Sequence, residues 1–150
     1  MQKEPALENL KSRLKSQIDG FSRRRERDKA KAFLYKIITL VLTLTATVAL
    51  GIEWEASISG IAKQLAFVAT ALVGFFTGID LFFNHKGLWV QYTITRNELY
   101  KIRDDLEYQV EKIGIENMED AQLDGYNTRI QKALDDCNSW WVGERTKDGT

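Results

Sequence analysis

Two long runs of apolar side chains constrain this chain more than anything else in it. Residues 33–52 form a run of twenty with one charge, Lys36, and residues 65–83 a run of nineteen with one, Asp80. At about 1.5 Å of rise per residue, each run in helical form spans the roughly 30 Å hydrocarbon core of a bilayer. An eleven-residue linker, 53–63, lies between them. The pattern predicts a transmembrane hairpin. Two buried core helices of a soluble protein fit poorly, because a 150-residue chain has too little other helix to cover two that are apolar on every side.

Average composition conceals this. A net charge of zero and 28% charged residues would suit an ordinary soluble domain, but the charges avoid the two runs and crowd the flanks. A cleaved signal peptide is not expected. The first run starts after residue 32, exceeds an h-region in length and leads into Glu53-Trp54-Glu55 instead of small residues. One cysteine, Cys137, and one proline, Pro5, exclude a disulfide framework and offer no zinc-type spacing. Cys137 is expected on a packed helix face.

Orientation follows from the basic residues near the spans. Arg23, Arg24, Arg25, Arg27, Lys29, Lys31 and Lys36 precede or open the first run, and the linker holds only Lys63. Lys86, Arg96, Lys101 and Arg103 follow the second. Seven and four against one predict both termini in the cytoplasm and the linker outside. Trp54, Tyr35 and Trp89 suit interfacial anchors, and Lys36 can snorkel to the headgroups.

Outside the runs the chain reads as amphipathic helix throughout, giving an all-α protein. Leu7, Leu10, Leu14, Ile18 and Phe21 recur at helical spacing, predicting a helix from about residue 5 almost unbroken into the first span. Trp89, Tyr92, Leu99, Ile102, Leu106, Val110 and Ile113 form a second, partly heptad stripe that Gly114 should end, with Asn117 capping the next helix. Leu123, Tyr126, Ile130, Ala133 or Leu134, Cys137 and Trp140 or Trp141 outline a third, and residues 147–150 should fray. The segmentation is a cytoplasmic helix over 1–32, spans over 33–52 and 65–83, and a cytoplasmic helical pair over 84–146. Residues 1–31 carry ten basic and five acidic side chains, and residues 84–150 nine basic and thirteen acidic. Balances of +5 and −4 suit a bundle in which the first helix packs beside the last two, within one chain or between copies.

Small residues recur every four positions in the spans: Thr39, Thr43, Thr47 and Gly51 in the first, Ala62, Ala66, Thr70, Gly74 and Gly78 in the second. Such spacing lets helix backbones approach closely, inside one hairpin or against another subunit. Two helices cannot enclose an aqueous path, so a channel built from this chain requires a homo-oligomer. Asp80, near the inner end of the second span, is either a pairing residue at the interface or a conduction or gating group. His85 reads as an interfacial polar residue. The run holding Arg23, Arg24, Arg25 and Arg27 is a positive-inside signal able to bind anionic lipid headgroups; with no interleaved aromatics it does not suggest specific nucleic-acid binding. No hydrolase, zinc-protease or phosphate-loop motif is present, so no catalytic residue, metal or cofactor is assigned and a non-enzyme is expected.

Phe82-Phe83-Asn84-His85-Lys86-Gly87-Leu88-Trp89-Val90-Gln91-Tyr92, followed by Arg96, Glu98-Leu99 and Leu106-Glu107-Tyr108, resembles the SLATT superfamily and related bacterial two-span families. The terminal Ser139-Trp140-Trp141 resembles the tryptophan closing the last helix of many such domains, while Thr93 departs from the usual arginine after the tyrosine. The resemblance implies a bacterial inner-membrane effector of anti-phage or stress defence that oligomerises into pores. A cytoplasmic partner or nucleotide second messenger would supply its signal. The alternative is a non-conducting adaptor whose hairpin anchors a cytoplasmic bundle.

Overall fold

The computed structural model describes residues 3–147, with the side chains of 56, 57 and 147 left aside. It is all-α among these residues: α1 Lys3–Gly51, α2 Ala56–Phe83, α3 His85–Ile113, a 3-10 turn Ile115–Asn117, and α4 Asp120–Lys147. Fraying is expected from residue 147, but Lys147 is the last residue of α4; residues 148–150 lie outside the described residues.

Helix α1 is unbroken through Asp19-Gly20. One glycine costs a helix about 1 kcal/mol, which the apolar stripe around it offsets. The linker is shorter than 53–63. Residues 52–55 alone are irregular, and α2 begins at Ala56, where Ile58 and Ser59 donate their N–H groups to the Glu55 carbonyl. Nothing in Ser57-Ile58-Ser59-Gly60 stops a helix once the apolar run beyond it favours one.

Asn84 alone separates α2 from α3. It adopts a left-handed conformation (φ 45°), donates its N–H to the Asp80 carbonyl, and accepts the Gly87 N–H on its side-chain oxygen at 3.1 Å. One residue thus closes one helix and caps the next. Gly114, at φ 77°, ends α3 as its sequence position predicts. Asn117 does not cap α4. Its side-chain N–H donates back to the Ile113 carbonyl at 2.7 Å, and Glu119 opens α4 instead, its N–H bonded to the Gln122 side chain at 2.9 Å.

The chain divides into two compact units. Residues up to Glu26 and from Leu88 onward form the first; Arg27–Gly87 form the second. In the first, Leu7, Leu10, Leu14, Ile18 and Phe21 of α1 share one core with Leu99, Ile102 and Leu106 of α3 and Leu123, Tyr126, Ile130, Ala133 and Cys137 of α4. The three amphipathic stripes therefore bury one another. Polar links tie their edges: Arg13 to Asn127, Lys3 to the Met118 carbonyl at 2.6 Å, Arg25 to Thr93 at 3.0 Å, and Arg129 to Asp105 at 2.6 Å. Burial, then the neighbouring Asp105, pushes the Tyr126 hydroxyl up from its ordinary pKa.

Two helical stretches, within Lys3–Gly51 and Ile58–Ile113, are long and apolar enough to cross a membrane, and only 11% of each apolar window is buried. That low burial separates them from the core helices of a soluble protein. Phe33, Phe67 and Leu81 are more than two-thirds exposed.

Candidate functional site

The second unit sorts the small residues of its helices into two faces. Buried are Ala46 and Ala49 of α1 and Ala62, Ala66 and Ala69 of α2. Thr43, Thr47, Gly51, Thr70, Gly74 and Gly78 are exposed, and Thr39 is half-buried. A Cβ added at Gly51, Gly74 or Gly78 would meet nothing within 4 Å. The four-residue stripes thus do not stay on one face. Each four-residue step advances about 40° around a helix of 3.6 residues per turn. Three steps, from Ala66 to Gly78, carry the stripe round by about 120°. The covered face follows alternating three- and four-residue steps instead, through Ala62, Ala66, Ala69, Val73 and Phe76.

The threonine hydroxyls are spent on their own helices. Thr39, Thr43 and Thr47 donate to the carbonyls four residues earlier at 2.8–2.9 Å, and Thr70 donates to Ala66 at 2.8 Å. This keeps a hydroxyl satisfied on an apolar helix.

A polar cluster sits where α1 meets the junction of α2 and α3. His85, the first residue of α3, is 6% exposed and Asp28 of α1 is 3% exposed. His85 Nδ1 lies 3.7 Å from Asp28 Oδ1 and makes no hydrogen bond among the described residues. Arg27 Nε stands 3.6 Å from the same carboxylate oxygen. The imidazole is stacked between Tyr35 at 5.6 Å and Phe83 at 5.5 Å, and Tyr35 in turn touches Phe76 of α2 at 6.3 Å. Asp80, half-buried, has one carboxylate oxygen shielded from solvent with no hydrogen-bond partner among the described residues. Burial, the largest effect, pushes His85 below its ordinary value. The negative charge of Asp28 opposes this, Lys31 adds to it, and Asp80 and Arg27 act in smaller opposite senses.

His85 is therefore a buried group in a defined pocket of charges, which its sequence position as an interfacial residue did not disclose. Asp28 was missed altogether, hidden in a basic run. A signal was present: Leu7, Leu14, Phe21, Asp28 and Tyr35 recur every seven residues, so Asp28 continues the buried stripe.

The other predicted residues are scattered. Arg25 is half-buried on Thr93, and Arg27 faces Asp28; Arg23 and Arg24 are exposed, with Arg24 over the Phe21 ring at 5.7 Å. Leu99 is fully buried, Tyr92 packs on Phe21 at 5.8 Å, and Trp89 and Trp140 are half-buried. Arg96 covers the Tyr100 ring at 5.6 Å, and Glu98 pairs with Lys101 at 3.3 Å. Among the described residues no three His, Cys, Asp or Glu side chains are grouped to hold a metal ion. Comparison with family models, with curated proteins and with solved structures finds no match to the chain.

Proposed function

We propose that this chain is a subunit of a homo-oligomeric effector of the bacterial inner membrane. Residues 33–83 form its transmembrane hairpin, and both termini lie in the cytoplasm. The cytoplasmic helices receive a signal from a partner protein or a nucleotide second messenger. The spans then rearrange with those of neighbouring subunits into a pore or channel that permeabilises the membrane.

One observation carries this reading. The faces of α1 and α2 that are not covered within the chain hold Thr43, Thr47, Gly74 and Gly78, with open space above both glycines. In lipid, small residues on an uncovered face let another helix approach closely, and van der Waals packing drives association. Lipid alone would be served equally well by leucine. The defence setting rests on the SLATT resemblance of residues 82–108 and 139–141.

Gly74→Leu with Gly78→Leu is the direct test. The substitution is expected to abolish dye leakage from liposomes or cells while insertion persists. Unchanged leakage, with assembly preserved, removes the packing role.

A membrane-anchored adaptor is the second reading. It is favoured by the core of the first unit, which draws on α1, α3 and α4 but on no residue of the spans.

A further inference from the structure

We propose that Asp28 and His85 form a proton-binding site that makes the packing of α1 against the α2–α3 junction depend on pH. The inference goes beyond the pore reading and does not require it.

The geometry is that of a pair held just short of bonding. His85 Nδ1 and Asp28 Oδ1 are 3.7 Å apart, both side chains more than nine-tenths buried, and Nδ1 bonds to nothing among the described residues. Charged N–H···O⁻ bonds close to about 2.8 Å. Native proteins rarely leave a buried polar atom unbonded, so the imidazole nitrogen has bonding capacity in reserve. A proton arriving on the imidazole supplies a donor at both ring nitrogens, so Nδ1–H can bond Asp28 once the gap shrinks by about 0.9 Å. No other chemistry is needed: the proton comes from solvent and returns to it.

The site is placed to transmit that movement. Asp28 belongs to α1, seven residues before Tyr35, whose ring stacks on His85 and touches Phe76. His85 follows the single-residue break at Asn84, where the backbone is left-handed and the two helices are joined by no continuous hydrogen-bond ladder. A pull on His85 therefore acts on the end of α2.

The charges around the imidazole set its response. From α1 it faces Asp28, Lys31 and Arg27, and from α2 it faces Asp80. Burial lowers the affinity for the proton below that of an exposed histidine. The unfolded chain then binds the proton more readily than the folded one. Stability is full above the ordinary histidine value of 6.5 and declines as pH falls through it toward the folded value. Protonation thus loosens the resting arrangement, and closure on Asp28 is the relief open to it.

His85 is the one histidine in the sequence, so its titration can be read without ambiguity. The full chain, labelled at histidine and reconstituted in nanodiscs, would be titrated by NMR alongside Asp28→Asn and Lys31→Gln. The wild-type midpoint is expected below 6.5, moved further down by Asp28→Asn and up by Lys31→Gln. Thermal unfolding followed by circular dichroism should show wild type losing stability from pH 7.5 to 5, with the loss diminished in His85→Gln. If Asp28→Asn fails to fold, Lys31→Gln and His85→Gln still decide. A midpoint at or above 6.5, one indifferent to the charge variants, or an undiminished acid loss in His85→Gln overturns the proposal.

Discussion

At the scale of single residues, the sharpest constraint lies at the α2–α3 junction. A Cβ at Gly87 would stand 2.6 Å from the Asn84 side-chain nitrogen and 2.8 Å from its Oδ1. The same side chain caps α3 through the Gly87 N–H, so it cannot move aside without losing that bond. Gly87→Ala should therefore destabilise the protein by about 1–2 kcal/mol, comparable with loss of a cap, despite alanine's better helix propensity. The opposite sign is expected at Gly20. It lies mid-helix with nothing within 4 Å of an added Cβ, so Gly20→Ala should stabilise α1 by about 0.5–1 kcal/mol. Thermal unfolding of both variants in detergent checks the pair. A gain at both sites would show that the Asn84 cap contributes nothing. Thr93 illustrates a different limit. Its hydroxyl accepts from Arg25 at 3.0 Å and donates to the Trp89 carbonyl at 2.7 Å, an arrangement a second arginine at 93 would replace with repulsion.

At the scale of elements, hydrophobic periodicity located the three helical segments that bury one face against each other, and unbroken apolar runs located the two stretches that do not. It also located the stop at Gly114, where a positive φ suits a residue without Cβ. Boundaries decided by local hydrogen bonding were less legible. Residues 56–63 look like linker by composition but are helical, and Asn117 looks like an N-cap but bonds backward to Ile113. At 56–63 the apolar run that follows extends the helix backward, and at Asn117 the side-chain amide donates to the Ile113 carbonyl behind it instead of capping the helix ahead. The small-residue stripes show a related ambiguity. A four-residue repeat is close to the helical period without equalling it, so over three steps it leaves one face for another.

At the scale of the whole molecule, the two units have different chemistry. The first buries large aliphatic and aromatic side chains from three helices. The second covers only alanines and a few larger residues and leaves most of its apolar surface exposed. The two proposed functions divide along this line. Replacing residues 33–83 with an unrelated transmembrane hairpin should abolish permeabilisation if the exposed Thr and Gly faces assemble the pore. An adaptor would survive the exchange with its signalling intact. The measurement is the activity of the exchanged protein in cells, beside its membrane fractionation.

Helical class, the two apolar stretches, the three amphipathic stripes and their charge asymmetry were all legible in the amino-acid order. These depend on residue type and spacing along one helix, which any single chain displays. Tertiary structure alone decided which residues face which. It turned Ala62 and Ala66 inward and Gly74 and Gly78 outward, and it buried Asp28 beside His85, 57 positions away in the sequence. The reason is physical. Spacing fixes which side chains share a face, whereas what that face meets depends on helices distant in sequence, and so does the protonation of any group placed there.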